Sequence, residues 1–175
     1  MVEGVRAALP RDGVITIDTG AHRILVSQAW ESYAPKGVLQ SSGLCTMGVA
    51  LPIAIGRKLA EPDRAVVAFT GDGGLEMVLG ELATLRDTGL PLVIVVFVDA
   101  SLALIEKKQR EIGHEPLGVD FGETDFPALA EVFGGTGVTA TSAAEVSAAV
   151  QAGLAAKTFT LIACPIGARA YDGKI

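Results

Sequence analysis

Asp72 and Asp99 are the residues whose placement suggests chemistry. Each closes a short apolar run: Ala65 to Thr70 leads into Gly71-Asp72-Gly73-Gly74, and Pro91 to Val98 leads into Asp99. In open α/β sheets ligands sit beyond the carboxyl ends of the strands, so two strands ending this way can aim both carboxylates into one crevice. Such an oxygen set suits Mg²⁺, which usually takes one or two carboxylates, some water, and the phosphate oxygens of its ligand. The neighbouring glycines let backbone N–H groups approach those phosphates at a helix N-terminus. A tight turn with a helix N-cap also accounts for Gly-Asp-Gly taken alone. Strand, turn, helix and a second acidic strand end in register favour the metal-and-diphosphate reading.

The elements that must position these groups follow from periodicity. Leu75, Val78, Leu79, Leu82 and Leu85 recur at helical spacing, which predicts a helix from Leu75 to Arg86. The Val- and Ile-rich run from Pro91 to Val98 suits a parallel strand covered on both faces. Upstream, Val2 to Leu9 reads as a helix stopped by Pro10, Val14 to Ile17 as a strand running into Asp18-Thr19-Gly20-Ala21-His22, and Gly37 to Gln40 as a weak strand. A helix of small residues reaches about Leu59 with Pro52 in its first turn. Downstream, Ser101 to Glu111 starts apolar and becomes a charged, solvated helix face, and Phe126 to Phe133 reads as a helix ending at Gly134-Gly135. Thr136 to Ala140 is a strand, Ser142 with Glu145 forms a capping box for a helix to about Ala155, and Thr158 to Ala163 closes the sheet. Strands alternating with helices predict an α/β fold: a doubly wound, six-stranded parallel sheet with helices on both faces, one domain over residues 1–175.

Composition narrows the function classes. The chain has 175 residues, half of them hydrophobic, yet its charges are spread so that no stretch has the length and apolarity of a membrane helix. No membrane role is expected. A formal charge of −6 argues against an electrostatic grip on nucleic acid. The two cysteines, Cys45 and Cys164, lack CxxC spacing and read as buried thiols. Together with the lack of a secretory signal pattern at the amino terminus, this points to the cytoplasm. His114, between glycine and proline neighbourhoods, is expected on the surface.

Gly71-Asp72-Gly73, about two dozen residues, and then Val98-Asp99 resembles the GDG…NN motif of thiamine diphosphate enzymes, with Val-Asp in place of two asparagines. Val-Asp there, Gly118-Val119-Asp120-Phe121-Gly122, and Asp125-Phe126 are similar to the FAD-independent, catabolic branch of the acetolactate synthases. The resemblance covers nearly the whole chain as the carboxyl-terminal, diphosphate-binding (PP) domain. It implies that Gly20, Ala21 and His22 contact the cofactor diphosphate together with Gly71, Gly73 and Gly74. Ala21 replaces a frequent glutamine, and the His22 imidazole is able to donate to phosphate. Ser41-Ser42-Gly43-Leu44-Cys45-Thr46-Met47-Gly48 is similar to the family's GGLGTMG segment. That likeness gives the Cys45 carbonyl the aminopyrimidine contact and Met47 the wedge between the cofactor rings. Cys45 stands at a usual glycine, so the contact is expected to need a negative φ. Asp72, Asp99 and the Ser101 carbonyl become the metal ligands, Leu102, Leu104 and Ile105 face the substrate pocket, and Ala103 narrows its entry.

The implied function is the magnesium- and diphosphate-binding half of a thiamine diphosphate-dependent 2-oxo acid decarboxylase or synthase. No catalytic residue is assigned on this chain, because the family's activating glutamate lies on an amino-terminal pyrimidine-binding (PYR) domain. Glu76 and Glu81 follow the glycine turn on a face not expected to reach the pyrimidine. A PYR subunit or a missing N-terminal part, a small 2-oxo acid and an oligomeric state are expected. The alternatives are a non-catalytic binding or regulatory relative, and a different α/β protein whose aspartates hold magnesium for another phosphate ligand.

Overall fold

Six parallel strands in the order β2-β1-β3-β4-β6-β5 build the core of the computed structural model, which describes residues 1–167 and 169–175. They are β1 (Val14–Ile17), β2 (Val38–Gln40), β3 (Val66–Gly71), β4 (Val93–Val98), β5 (Thr136–Thr139) and β6 (Thr160–Pro165). The helices are α1 (Val2–Ala8), α2 (Ala21–Ala29), α3 (Ala50–Ala60), α4 (Asp72–Glu76), α5 (Glu81–Thr88), α6 (Ala103–Glu111), α7 (Phe126–Val132) and α8 (Ala143–Leu154). The doubly wound, six-stranded α/β reading is the one observed. Chain order reverses between β1 and β3, the place where such sheets bind ligands.

Alternation along each strand divides the core into two layers, since successive side chains point to opposite faces. Ala68, Ile94, Val96, Leu161 and Ala163 face α3, α5 and α7, contributed by Leu51, Leu82, Leu85 and Phe126. Ile15, Ile17, Val67, Phe69, Val95 and Ile162 face the other way, against Val5 of α1, Val26 of α2, and Val146 and Val150 of α8. Gly4 is where α1 meets α8: a Cβ there would lie 2.3 Å from the Ala143 carbonyl oxygen.

Local differences from the expected elements have physical causes. The helix expected from Leu75 to Arg86 is two helices, α4 and α5, joined at Met77 to Gly80. The joint is made of i→i+3 bonds, Val78 N to Leu75 O and Glu81 N to Val78 O, which keep a near-helical rise and hence the same apolar spacing. At α8, Ser142 Oγ accepts from Glu145 N as a capping box requires. The Glu145 carboxylate reaches one residue further back than the motif, accepting from Thr141 N and Oγ1.

Candidate functional site

Three strand ends converge where the chain order reverses, and each carries an aspartate in a different hydrogen-bonding state. Asp18, after β1, is fully used: Oδ1 accepts from Thr19 N and Val49 N at 2.8 and 3.1 Å, and Oδ2 from Gly48 N and Thr70 Oγ1 at 2.9 and 2.8 Å. It ties β1, β3 and the loop before α3 together. Gly74 has to be glycine for this, because a Cβ would lie 2.4 Å from Asp18 Oδ2.

Asp72 is used in part. Its Oδ1 accepts from Gly73 N at 2.8 Å, and its Oδ2 from Asp99 N and Ala100 N at 2.9 and 2.7 Å. A carboxylate offers about four lone-pair sites, so about one remains. Among the described residues Asp99 accepts only from Ser101 N, at 3.2 Å, and has most of its capacity open. Burial raises the Asp72 carboxyl above its ordinary range, against the pull of its three amide donors. Burial and the neighbouring Asp72 charge push Asp99 up to about 6. Two under-used carboxylates, both with raised proton affinity, constitute a site short of positive charge.

Gly20, Ala21, His22, Cys45, Met47, Gly71, Asp72, Gly73, Gly74, Asp99, Ser101 and Leu102 all line one cavity of about 200 Å³. Every residue nominated from the sequence is therefore brought together. Leu104, Ile105 and Ala103 line it too, whereas Glu76, Glu81 and the exposed His114 do not. Glu76 instead accepts from Thr124 Oγ1 at 2.5 Å. The expected strand-to-helix turn after Asp99 is pinned from the side: Leu102 N donates to Val119 O and Phe121 N to Ala100 O. This holds Ala100 in a left-handed conformation, φ +54°, and aims its N–H at Asp72.

Two expectations, both at Cys45, need correction. The expected negative φ at Cys45 is not found; its φ is +50°, a left-handed conformation that costs a non-glycine residue about 1–2 kcal/mol. Its thiol is exposed rather than buried and accepts from Arg23 Nη1 at 3.1 Å, while Cys164 is buried as expected. His22, expected to contact the diphosphate, is 5 % exposed, because α2 turns it inward against Phe97 with ring centroids 5.7 Å apart. Burial lowers its pKa to about 4, so the ring is neutral at physiological pH. Its Nε2 is buried without a partner, as is Ser101 Oγ, and both residues line the cavity.

Thr19, Phe97 and Tyr171 also line the cavity and were not legible as site residues. Thr19 had a signal, since it sits beside Gly20 at a strand end. Tyr171 had none. Among the described residues no group of three or more His, Cys, Asp or Glu side chains is placed to hold a metal. A cation between Asp72 and Asp99 would need backbone oxygen and ligand oxygen to complete its shell, which suits a phosphate-bound Mg²⁺ and not a protein-caged Zn²⁺.

The profile of the family described as "Thiamine pyrophosphate enzyme, C-terminal TPP binding domain" matches residues 18–164. The chain belongs to this family. This TPP-binding domain is 33% identical over 166 residues to an acetolactate synthase of Bacillus subtilis, covering 95% of the chain and 29% of that protein. It is 30% identical over 169 residues to the catabolic acetolactate synthase of Raoultella terrigena, covering 97% of the chain and 30% of that protein. Its fold matches the thiamine diphosphate-dependent 4-hydroxybenzoylformate decarboxylase of Rhodococcus jostii RHA1, with a TM-score of 0.87 at 24% identity over 97% of the chain and 32% of that one. The domain thus spans about a third of the length of these relatives. Among the described residues no helix is long and apolar enough to cross a membrane.

Proposed function

We propose that this domain is the magnesium- and diphosphate-binding half of a thiamine diphosphate-dependent 2-oxo acid decarboxylase or synthase. The observation that carries the reading is the pair of under-used carboxylates, Asp72 and Asp99, at adjoining strand ends of a glycine-lined cavity. Asp72, Asp99 and the Ser101 carbonyl would hold Mg²⁺, and the cation would hold the diphosphate. Gly71, Gly73 and Gly74 keep side chains away from that end: at Gly71 and Gly73 a Cβ would come within 3.2 Å of the His22 ring and 3.1 Å of the Leu102 side chain. Gly20, Ala21 and His22 line the same cavity. His22 is well suited to phosphate, since a buried neutral imidazole with an unpartnered nitrogen can donate one hydrogen bond without bringing a charge to be desolvated.

The Cys45 carbonyl and the Met47 side chain, which line the same cavity, are assigned to the aminopyrimidine and the bend of the cofactor. Leu102, Leu104 and Ile105 present an apolar wall that would exclude water around a small 2-oxo acid. When bound, thiamine diphosphate supplies the carbon nucleophile and electron sink for 2-oxo acid chemistry. The domain orients it and balances its charge.

Among the described residues no Glu side chain lines the cavity, so the activating carboxylate is assigned to a PYR domain on a partner subunit or on an N-terminal part of a longer chain. The decisive experiment measures 2-oxo acid consumption by the purified chain with thiamine diphosphate and magnesium, with and without a PYR-bearing partner. Turnover only with the partner, suppressed when the partner's pyrimidine-facing glutamate becomes glutamine, is expected. Robust turnover by the chain alone would overturn the divided site, and none under any pairing would favour a non-catalytic relative.

A further inference from the structure

Tyr171 reaches the metal end of the cavity from a segment outside the sheet-and-helix framework. Its side chain is only 5 % exposed, lines the same cavity as Asp72 and Asp99, and makes no hydrogen bond among the described residues. The ring also lines a second cavity of about 390 Å³ that shares Asp99, Ser101 and Ala103 with the first, so it stands in the partition between them. Packing alone does not account for a tyrosine among the lining residues of a cavity that also holds two carboxylates, Asp72 and Asp99. A tyrosine whose body is buried usually finds a hydrogen-bond partner for its hydroxyl, and the cavity is where this one is offered none by the described residues.

The segment is fastened in place. Arg110 of α6 donates from Nη2 to both oxygens of Asp172, at 2.8 and 3.0 Å, and from Nε to Glu106 at 2.7 Å. Arg169 pairs with the same Glu106 at 3.3 Å. Two turns, Asp172 N to Arg169 O and Lys174 N to Tyr171 O, bracket the tyrosine. The clasp belongs to the helix whose first turn, Ala103 to Ile105, lines the cavity, so Tyr171 and that wall are set by one rigid element.

We propose that Tyr171 is a positioning residue whose hydroxyl donates a hydrogen bond to the diphosphate held between Asp72 and Asp99. The inference rests on the diphosphate reading above. Two carboxylates and a cation fix the phosphate's charge but not its rotation, and a donor from a third direction selects one orientation. Burial and the charges of Asp99 and Asp72 all push the phenol pKa up, so the hydroxyl keeps the proton it donates.

The test titrates Mg²⁺ with thiamine diphosphate, with inorganic pyrophosphate, and with unphosphorylated thiamine into the whole chain and its Tyr171→Phe variant. The expected result is about tenfold weaker binding of both diphosphates by the variant, equal behaviour toward thiamine, and an unchanged melting temperature of the ligand-free protein. The chain has only two tyrosines, so 3-fluorotyrosine labelling gives two ¹⁹F signals, assignable with Tyr33→Phe even if Tyr171→Phe does not fold. The Tyr171 signal should move when Mg²⁺ and pyrophosphate are added. Wild-type affinity in Tyr171→Phe, a stationary Tyr171 signal, or an equal loss of affinity and ligand-free stability would overturn the role of Tyr171 and leave the diphosphate reading standing. Absence of magnesium-dependent binding by the wild type would overturn both.

Discussion

Asp18 and the pair formed by Asp72 and Asp99 lie at the same end of neighbouring parallel strands, yet their surroundings differ. Asp18 accepts four hydrogen bonds and has no capacity left. Asp72 has about one acceptor site open and Asp99 has most of its own. The difference separates scaffold from site: a saturated carboxylate fixes loops relative to strands, and an unsaturated pair attracts a cation. Residue type alone does not separate them.

The comparison breaks most visibly at Asp18. Asp18→Ala leaves three amides and the Thr70 hydroxyl without their acceptor in a buried place, and is expected to cost roughly 4 kcal/mol in chemical denaturation. A loss below about 1 kcal/mol would show that these bonds are replaced readily by water.

His22, between the two regions, gives the next largest effect. Its pKa is about 4 in the folded state, below the ordinary 6.5, so protons favour the unfolded chain. Stability is fully present above pH 6.5 and falls by roughly 3 kcal/mol as pH drops through 4. Asp99 runs the other way, since its pKa of about 6 exceeds the ordinary 3.8 and the folded state gains protons first. Denaturation in an Asp99→Asn background, with and without His22→Gln, isolates the histidine. Equal pH profiles would contradict its burial as a neutral ring.

Asp72→Ala is expected to weaken magnesium-dependent thiamine diphosphate binding more than about a hundredfold, close to 2.7 kcal/mol, because it removes one of two anionic ligands. Binding calorimetry reads this directly, and an affinity within threefold of wild type would remove Asp72 from the site.

The smallest effect is at Asp99. Asp99→Asn keeps an oxygen ligand and relieves the repulsion from Asp72, so binding should weaken by no more than about tenfold. The metal-free protein should gain about 1 kcal/mol at pH 7, a figure discounted for the partial exposure of the group, and this gain should vanish below about pH 4. A loss of metal-free stability at pH 7 would contradict the view that the pair is strained without a cation.

Much of this arrangement was legible in the sequence because each cavity residue sits where an apolar run ends or a glycine interrupts. Val14–Ile17 and Thr136–Thr139 fall within the strands expected, and Asp72 and Asp99 follow theirs directly. What escaped was conformation that leaves no trace in periodicity. Leu75, Val78, Leu79, Leu82 and Leu85 pack inward whether the helix is continuous or broken at Gly80. The left-handed backbone of Cys45 and Ala100 is set by long-range bonds and loop context rather than by their own preferences. The burial of His22 depends on Phe97, which is 75 residues away in the chain, and Tyr171 on a clasp to α6. Asp18 was visible as a strand end, but its saturation was not, since three of its four donors are recruited by the fold from residues 48, 49 and 70.

The central claim is that the unsaturated strand ends hold a cation which in turn holds a diphosphate. It is tested most directly by titrating thiamine diphosphate into the purified chain by calorimetry, in magnesium and in EDTA, with thiamine as the comparison ligand. Saturable binding of the diphosphate in magnesium, none in EDTA, and none of thiamine in either is the predicted result. Diphosphate binding that persists unchanged in EDTA, or thiamine binding as tightly as its diphosphate, would contradict it.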